Sequence, residues 1–148
     1  MRKKVEIYTD GACSGNPGAG GFAAILIYKG IEKIVKGREE RTTNNRMELR
    51  AIIEGLKALK VPCNVRLYSD SAYAINAFNQ GWLDNWIANS WHTADRKDVL
   101  NVDLWEELVK LTQIHNVEFI KVKGHSDNEY NNKCDQIARQ EIINEQGI

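Results

Sequence analysis

Residues 4–36 read KVEIYTDGACSGNPGAGGFAAILIYKGIEKIVK, and this stretch decides the fold. Residues 4–9 alternate between polar and apolar side chains, as a half-buried strand does, whereas residues 22–28 form the nearly continuous apolar run of a central strand. A Lys-Gly turn signal separates the second strand from a third at residues 32–36. The glycine-dense segment at residues 11–21 is expected to be a loop. Three strands joined by short connections predict an antiparallel meander.

After the meander, the apolar residues change to helical spacing. Leu49, Ile52 and Leu56 recur on one helix face, and a Thr or Asn at positions 43–45 is expected to cap its start. The remaining predicted elements are a strand at 64–69, a helix at 71–79, a helix at 101–113, a strand around 117–120 and a final helix from about residue 128 or 131. The tryptophans between residues 82 and 91 lie in a segment with little regular pattern. This order predicts an α/β fold with a five-stranded mixed sheet, in which a three-strand antiparallel meander is joined to two parallel strands and helices flank both faces.

The composition indicates one globular domain over residues 1–148. Hydrophobic residues make up 43% and charged residues 27%, and no apolar run approaches the roughly 20 residues of a membrane span. We therefore expect a cytoplasmic monomer with no membrane association and no obligate protein partner. The three cysteines include no CxxC pair, which disfavours a zinc site or a disulfide framework. The net charge is zero, so bulk charge does not indicate nucleic-acid binding.

Four acidic residues, Asp10, Glu48, Asp70 and Asp135, lie at the ends of predicted elements. Asp10 and Asp70 each end an apolar strand, and carboxylates there face the crevice where open α/β sheets bind ligands. Clustered carboxylates repel one another unless cations bind, and Mg²⁺ prefers oxygen ligands. Taken singly, each has an ordinary alternative as a helix cap, as part of a capping box with Asn45, or as a favourable charge at a helix start. The pattern indicates metal-dependent phosphoryl transfer, although spacing alone does not assemble the site.

Six segments of the chain carry recognisable motifs. They are 8–18 (YTDGACSGNPG), 43–49 (TNNRMEL), 69–71 (SDS), 82–91 (WLDNWIANSW), 101–105 (NVDLW) and 122–125 (VKGH). In this order and spacing they resemble ribonuclease H of the type 1 class, and the match is closest to bacterial members that consist of the catalytic domain alone. The resemblance covers essentially the whole chain. It implies the ribonuclease H-like fold and an endonuclease that cuts the RNA strand of an RNA/DNA hybrid duplex.

The resemblance also implies a metal cofactor and a role for each carboxylate. Two Mg²⁺ ions, with Mn²⁺ as a substitute, would bind in the presence of substrate. By similarity, Asp10 binds both ions and Asp135 helps to hold the ion of the attacking water. Glu48 and Asp70 help to hold the ion beside the leaving 3′-oxygen, so that products carry 5′-phosphate and 3′-hydroxyl ends. His125 would assist proton transfer, which suits an imidazole that titrates near neutral pH, although its sequence context equally fits a solvated loop histidine.

Two groups of residues match substrate-binding positions of the family. The residues that match contacts to the RNA strand are Cys13, Asn16, Asn44 and Asn45. The residues that match contacts to the DNA strand are Arg41, Thr43, Tyr73, Trp82, Trp86 and Asn101. Recognition of 2′-hydroxyl groups calls for short polar side chains and exposed backbone. From residue type alone, the tryptophans equally fit a core position and the cysteines fit small buried residues.

The chain departs from the family pattern after Trp86. This segment is rich in lysine in several bacterial relatives, whereas residues 85–92 here contain no lysine or arginine, and the Arg-Lys pair at 96–97 is flanked by two aspartates. Ala72 replaces a longer polar residue of some relatives, and Asn132 stands where many have Glu. The absence of lysine from residues 85–92 concerns the affinity for the hybrid and not the assignment of the catalytic activity.

Two alternative functions share the same fold. One is a DNA-directed nuclease or strand-transferase, and the other is an inactive module that only binds hybrids. The Asn16-Pro17-Gly18 motif and His125 disfavour the first alternative. The complete acidic set disfavours the second.

Overall fold

A computed structural model of the chain describes residues 2–123 and 128–146, with side chains described up to residue 143. Its strands are β1 (Lys3–Cys13), β2 (Gly18–Tyr28), β3 (Ile31–Thr42), β4 (Cys63–Ser69) and β5 (Asn116–Lys121). Its helices are α1 (Asn44–Lys57), α2 (Ala72–Asn79), α3 (Trp82–Ala88), α4 (Val102–Ile114) and α5 (Glu129–Gln146). Within the described ranges, no helix is both long enough and apolar enough to cross a membrane.

The strands form one mixed sheet in the order β3-β2-β1-β4-β5. β1 pairs antiparallel with β2, and β2 pairs antiparallel with β3, which confirms the predicted meander. β4 lies parallel to β1, and β5 lies parallel to β4. The predicted five-stranded α/β sheet is therefore confirmed, and β1 is its central strand.

Helices cover both faces of this sheet, and β2 contributes to both layers. Ala24 and Leu26 belong to the larger core on the α1 side, where Trp105 of α4 is fully buried. Ala23 and Ile25 belong to a smaller cluster under α5. Because β2 is buried on both faces, its sequence is a continuous apolar run instead of an alternating one.

The prediction of a loop over residues 11–21 is wrong, because most of this segment is strand. β1 continues to Cys13 and β2 begins at Gly18, which leaves residues 14–17 as the connection. The glycines serve close packing: a Cβ atom on Gly21 would collide with the carbonyl oxygen of Ala138 on α5. Glycine thus lets α5 lie directly on the sheet.

The tryptophan-containing segment is more regular than its sequence indicated. Its first part forms the seven-residue helix α3, which follows Gly81 in the left-handed conformation at φ 76°. Leu83 is buried, and the ring of Trp86 lies 5.5 Å from that of Trp105 in an edge-on contact. A helix of two turns is too short to show a periodic pattern, and its stability comes from this packing.

Candidate active site

The site begins with Asp10 and Glu48, which share one backbone donor. The Gly11 N–H group donates to Asp10 Oδ1 at 2.9 Å and also to Glu48 Oε1. A Cβ atom on Gly11 would collide with the backbone of Met47, so glycine is needed for α1 to approach β1 this closely. Asp10 pairs with Ala23 inside the sheet, and the prediction that it ends its strand is wrong. Asp10 and Glu48 are each 5% exposed.

The structure decides against a capping role for Glu48. The N-cap of α1 is Thr43, whose side chain accepts a hydrogen bond from the Arg46 N–H group at 3.2 Å. Asn45 is an exposed residue inside the helix, so it does not form the alternative capping box with Glu48. Glu48 is therefore buried without a capping function.

Asp70 follows β4 directly and completes a cluster of three carboxylates. Ser71, and not Asp70, caps α2 by accepting a hydrogen bond from the Ala74 N–H group at 3.1 Å. One carboxylate oxygen from each of Asp10, Glu48 and Asp70 lies within 4.8 Å of the others. Three elements thus deliver three carboxylates to one point.

Asp135 on α5 lines the same cleft, which has a volume of about 170 Å³. Its carboxylate is held by Arg139, one turn further along the helix, whose Nε atom lies 3.0 Å from both oxygens. The structure therefore brings all four predicted carboxylates to one cleft, and it pairs the fourth with a cation.

The electrostatics of the cleft favour an added positive charge. Burial raises the pKa of Asp10 to about 7, and the charges of Asp70 and Asp135 add to this effect. The pKa of Glu48 is also raised well above its ordinary value. Burial is the largest cause, and the charge of Asp10 is the next. Near neutral pH the metal-free pair therefore retains a proton that a bound cation would displace.

The donor set fits a hard divalent cation such as Mg²⁺. Every clustered ligand atom is a carboxylate oxygen, the type that Mg²⁺ prefers. Asn131 on α5 lines the cleft and is 3% exposed, and its Oδ1 atom has no hydrogen-bond partner in the described part of the chain. A buried amide oxygen without a partner is costly, and a cation or its bound water would satisfy it.

The residues predicted to contact the RNA strand lie close to this cleft. Asn44 lines the cleft, and its N–H group donates to Asn16 Oδ1 at 3.3 Å, which ties the β1–β2 connection to the start of α1. The Cys13 thiol lies 3.4 Å from the Thr42 carbonyl oxygen and is partly exposed. Asn45 is exposed beside them.

The residues predicted to contact the DNA strand form a second group. Asn101 donates through Nδ2 to the Tyr73 hydroxyl at 3.1 Å, and the indole N–H group of Trp105 donates to the same hydroxyl at 3.1 Å. Trp86 is half-buried against the core, as the core interpretation of the tryptophans expects, whereas Trp82 is 36% exposed. Two further members of the group, exposed Arg41 and half-buried Thr43, lie at the junction of β3 and α1.

Sequence reasoning missed three residues that organise these groups. Arg46 donates to Asn101 Oδ1 at 3.2 Å and forms a two-pronged ion pair with Asp103, which links α1 to the start of α4. Asn131 and Arg139 line the acidic cleft. The spacing of Arg139 four residues after Asp135 was the available signal, because such pairs meet on a helix. His125 lies outside the described residues, so its predicted role has no structural counterpart here.

Comparisons with known proteins show what this chain is similar to. The family model for RNase H matches residues 2–143. A ribonuclease H of Caldanaerobacter subterraneus subsp. tengcongensis is 65% identical over 138 residues, covering 93% of this chain and 90% of that protein. A ribonuclease H of Caldicellulosiruptor saccharolyticus is 63% identical over 140 residues, covering 95% and 97%.

Solved structures show the same fold. LC9-RNase H1, described as a type 1 RNase H with the type 2 active-site motif, superposes with a TM-score of 0.83 at 27% identity, covering 97% of this chain and 74% of that one. LC11-RNase H1, solved in complex with an RNA/DNA hybrid, gives a TM-score of 0.73 at 20% identity, covering 96% and 99%. At that identity the second likeness shows the fold alone.

Proposed function

This chain belongs to the RNase H family, and on that premise we propose that it is an endonuclease that hydrolyses the RNA strand of RNA/DNA hybrids. The observation that carries the proposal is the cluster of Asp10, Glu48 and Asp70, whose oxygens lie within 4.8 Å of one another. Burial of like charges at this density is unfavourable unless the site binds cations.

The carboxylates would divide the work of holding the cations. Divalent cations held there would supply an activated water, stabilise the leaving oxygen and neutralise phosphate charge. Asp10 is the natural shared ligand, because the charges of both Asp70 and Asp135 raise its pKa and Glu48 hydrogen-bonds to it. Glu48 and Asp70 would help to hold one of the two cations, and Asp135 would help to hold the other. Hydrolysis in this arrangement would leave 5′-phosphate and 3′-hydroxyl ends.

Residues around the carboxylates would orient the hybrid. The Asn16–Asn44 hydrogen bond places short polar groups and exposed backbone beside the cleft, which suits recognition of 2′-hydroxyl groups. The network of Tyr73, Asn101 and Arg46 is preformed and would present polar groups to the DNA strand. His125 would assist proton transfer and would not bind the metal.

The proposal extends to the domain organisation, the oligomeric state and the cellular compartment of the protein. We infer that residues 1–148 form a single catalytic domain. It would act on the hybrid as a cytoplasmic monomer, with Mg²⁺ as its cofactor. Cys13, Cys63 and Cys134 are free thiols, as a reducing compartment would keep them. Size-exclusion chromatography with light scattering checks the monomer directly, and a dimer mass would contradict it.

A substrate panel tests the function. Purified protein is incubated with an RNA/DNA hybrid, duplex RNA, duplex DNA and single-stranded RNA of one sequence, each with and without Mg²⁺. We expect cleavage of the hybrid alone and only with Mg²⁺. Cleavage of duplex DNA would favour the DNA-directed alternative, and hybrid binding without cleavage would favour the inactive module.

A further inference from the structure

The fourth carboxylate differs from the other three in having a cationic partner. Arg139 Nε lies 3.0 Å from both oxygens of Asp135. Among the described residues that line the acidic cleft, Arg139 is the one cation. Asp10, Glu48 and Asp70 form the cluster of mutually close oxygens, and Asp135 is not part of it. The metal-free cleft therefore has a part where three carboxylates crowd together and a part where a carboxylate is paired with a cation.

The Arg139–Asp135 ion pair is exposed to solvent, so it can break and be replaced by other contacts at little cost. The side chain of Arg139 is 63% exposed and that of Asp135 is 32% exposed. An ion pair of this exposure is screened by water and changes an equilibrium constant by no more than about fivefold. A guanidinium also binds phosphate oxygens well, through parallel N–H donors that match their spacing.

We propose that Arg139 is a positioning residue that holds Asp135 out of the cation site until a phosphate of the substrate draws the guanidinium away. This inference rests on the proposed function, because it requires a nucleic-acid phosphate at the cleft. Asp135 then contributes to cation binding only when substrate is present. The three-carboxylate cluster binds its cation with or without substrate.

A double-mutant cycle on cation affinity tests the first half of the proposal without any cleavage reaction. Mg²⁺ affinity is measured by isothermal titration calorimetry, in the absence of nucleic acid, for wild type, Asp135→Asn, Arg139→Gln and the double variant. We expect Asp135→Asn to leave the affinity of the wild type unchanged within about twofold. Arg139→Gln should tighten binding by up to about fivefold, and adding Asp135→Asn to it should remove that gain.

Two further variants separate pairing from net charge. Arg66→Gln removes the same charge from a different exposed arginine–carboxylate pair, that with Glu118, and should not change Mg²⁺ affinity. Arg139→Lys keeps the charge and should behave nearly as wild type. If Asp135→Asn weakens Mg²⁺ binding equally in the wild-type and Arg139→Gln backgrounds, the effects are additive and the proposal is overturned.

Hybrid binding tests the second half. In EDTA, hybrid affinity is measured across a salt series for wild type, Arg139→Gln and Arg66→Gln. Loss of one phosphate contact should lower the logarithmic salt slope of Arg139→Gln by somewhat under one, and Arg66→Gln should match wild type. An unchanged slope for Arg139→Gln would overturn the phosphate step. Hybrid cleavage by the wild type reports separately on the proposed function.

Discussion

Asp10 and Glu48 illustrate how single residues set the chemistry of this site. Both are buried side chains of the same charge, and one backbone N–H group serves both. Folding brings them together although the metal-free site would be more stable with fewer charges. A binding site that opposes folding in this way indicates a ligand of opposite charge.

The first prediction concerns the stability of the metal-free protein. The pKa of Asp10 is raised from its ordinary value of 3.8 to about 7, so the folded state binds more protons than the unfolded chain between these values. Stability is therefore lost as pH rises from about 4 through about 7. Asp10→Asn removes this loss, and in EDTA at pH 8 its melting temperature should exceed that of wild type by at least about 3 °C.

Asp103→Asn is the matched control for this prediction. The hydrogen bond from Arg46 lowers the pKa of Asp103, so that carboxylate stabilises the fold above its ordinary pKa and the stabilisation is lost on acidification. Its replacement should therefore lower the melting temperature at pH 8 slightly. Parallel melting profiles of Asp10→Asn and wild type between pH 5 and pH 8 would contradict the raised pKa of Asp10.

The second prediction concerns His125. A proton-transfer residue contributes about 10²- to 10⁴-fold to the rate, and water replaces it in part. His125→Ala should therefore slow turnover by a factor in that range while leaving Mg²⁺ affinity unchanged. Steady-state kinetics and calorimetry measure the two properties. Loss of Mg²⁺ affinity would instead make His125 a metal ligand.

At the scale of elements, the site depends on how closely α1 approaches β1. Gly11 is the contact point, since a Cβ atom there would collide with the backbone of Met47 next to Glu48. The N-cap of Thr43 fixes where the helix starts and therefore where Glu48 lies along it. The carboxylate spacing is thus a property of helix packing.

The third prediction follows from this contact. Gly11→Ala forces α1 away from β1, and overpacking of this kind costs about 1–3 kcal/mol. We expect a lower melting temperature in EDTA and, because Glu48 moves with the helix, a weaker Mg²⁺ affinity. Gly30→Asn is the control, since Gly30 has a positive φ that Asn tolerates and its Cβ would meet nothing within 4 Å. Equal Mg²⁺ affinities for both variants would show that the close approach does not position Glu48.

Strands and helices with a clear period could be predicted from the sequence. The meander, α1, β4, α4 and α5 are predicted from alternation, from a continuous apolar run or from helical spacing. The extension of β1 through Gly11 was missed because glycine signals a turn locally, whereas here its small size admits a helix against the strand. The short helix α3 was missed because tertiary packing, and not periodicity, stabilises it.

The carboxylates and their common site were predictable from the motifs, but the geometry of the site was not. Spacing predicts that all four lie at element ends, which is wrong for Asp10, and only the fold could show that three are mutually close while Asp135 is paired with Arg139. The Asn131 oxygen, which has no hydrogen-bond partner among the described residues, depends equally on three-dimensional burial. Such features have no signature in the residue order.

At the scale of the whole molecule, charge is balanced instead of concentrated. The net charge is zero, and two arginines of α1 are paired internally, Arg46 with Asp103 and Arg50 with Glu39. In the exposed segment that follows Trp86, His92 lies 3.3 Å from Asp98. Binding of the hybrid should therefore rely on few phosphate contacts and on neutral hydrogen bonds.

The fourth prediction adds charge to this segment. Ala88→Lys with Asn89→Lys, both at exposed positions, should tighten hybrid binding chiefly at moderate salt, steepen the logarithmic salt slope and lower the apparent KM, with turnover nearly unchanged. Gln113→Lys with Asn116→Lys adds the same charge at exposed positions next to the start of β5 and is the control. Binding across a salt series measures the effect. Identical slopes for wild type and the first variant would mean that this segment does not contact phosphate.

The central claim, that the clustered carboxylates hydrolyse the RNA strand of a hybrid, is tested most directly by strand-specific cleavage. One hybrid is labelled on the RNA strand and, in a separate reaction, on the DNA strand. Each is incubated with Mg²⁺ and wild type, Asp10→Asn or Glu48→Gln. We expect wild type to cut only RNA, leaving 5′-phosphate and 3′-hydroxyl ends, and both folded variants to be inactive. Cleavage of the DNA strand, or substantial Mg²⁺-dependent cleavage by either variant, would contradict the claim.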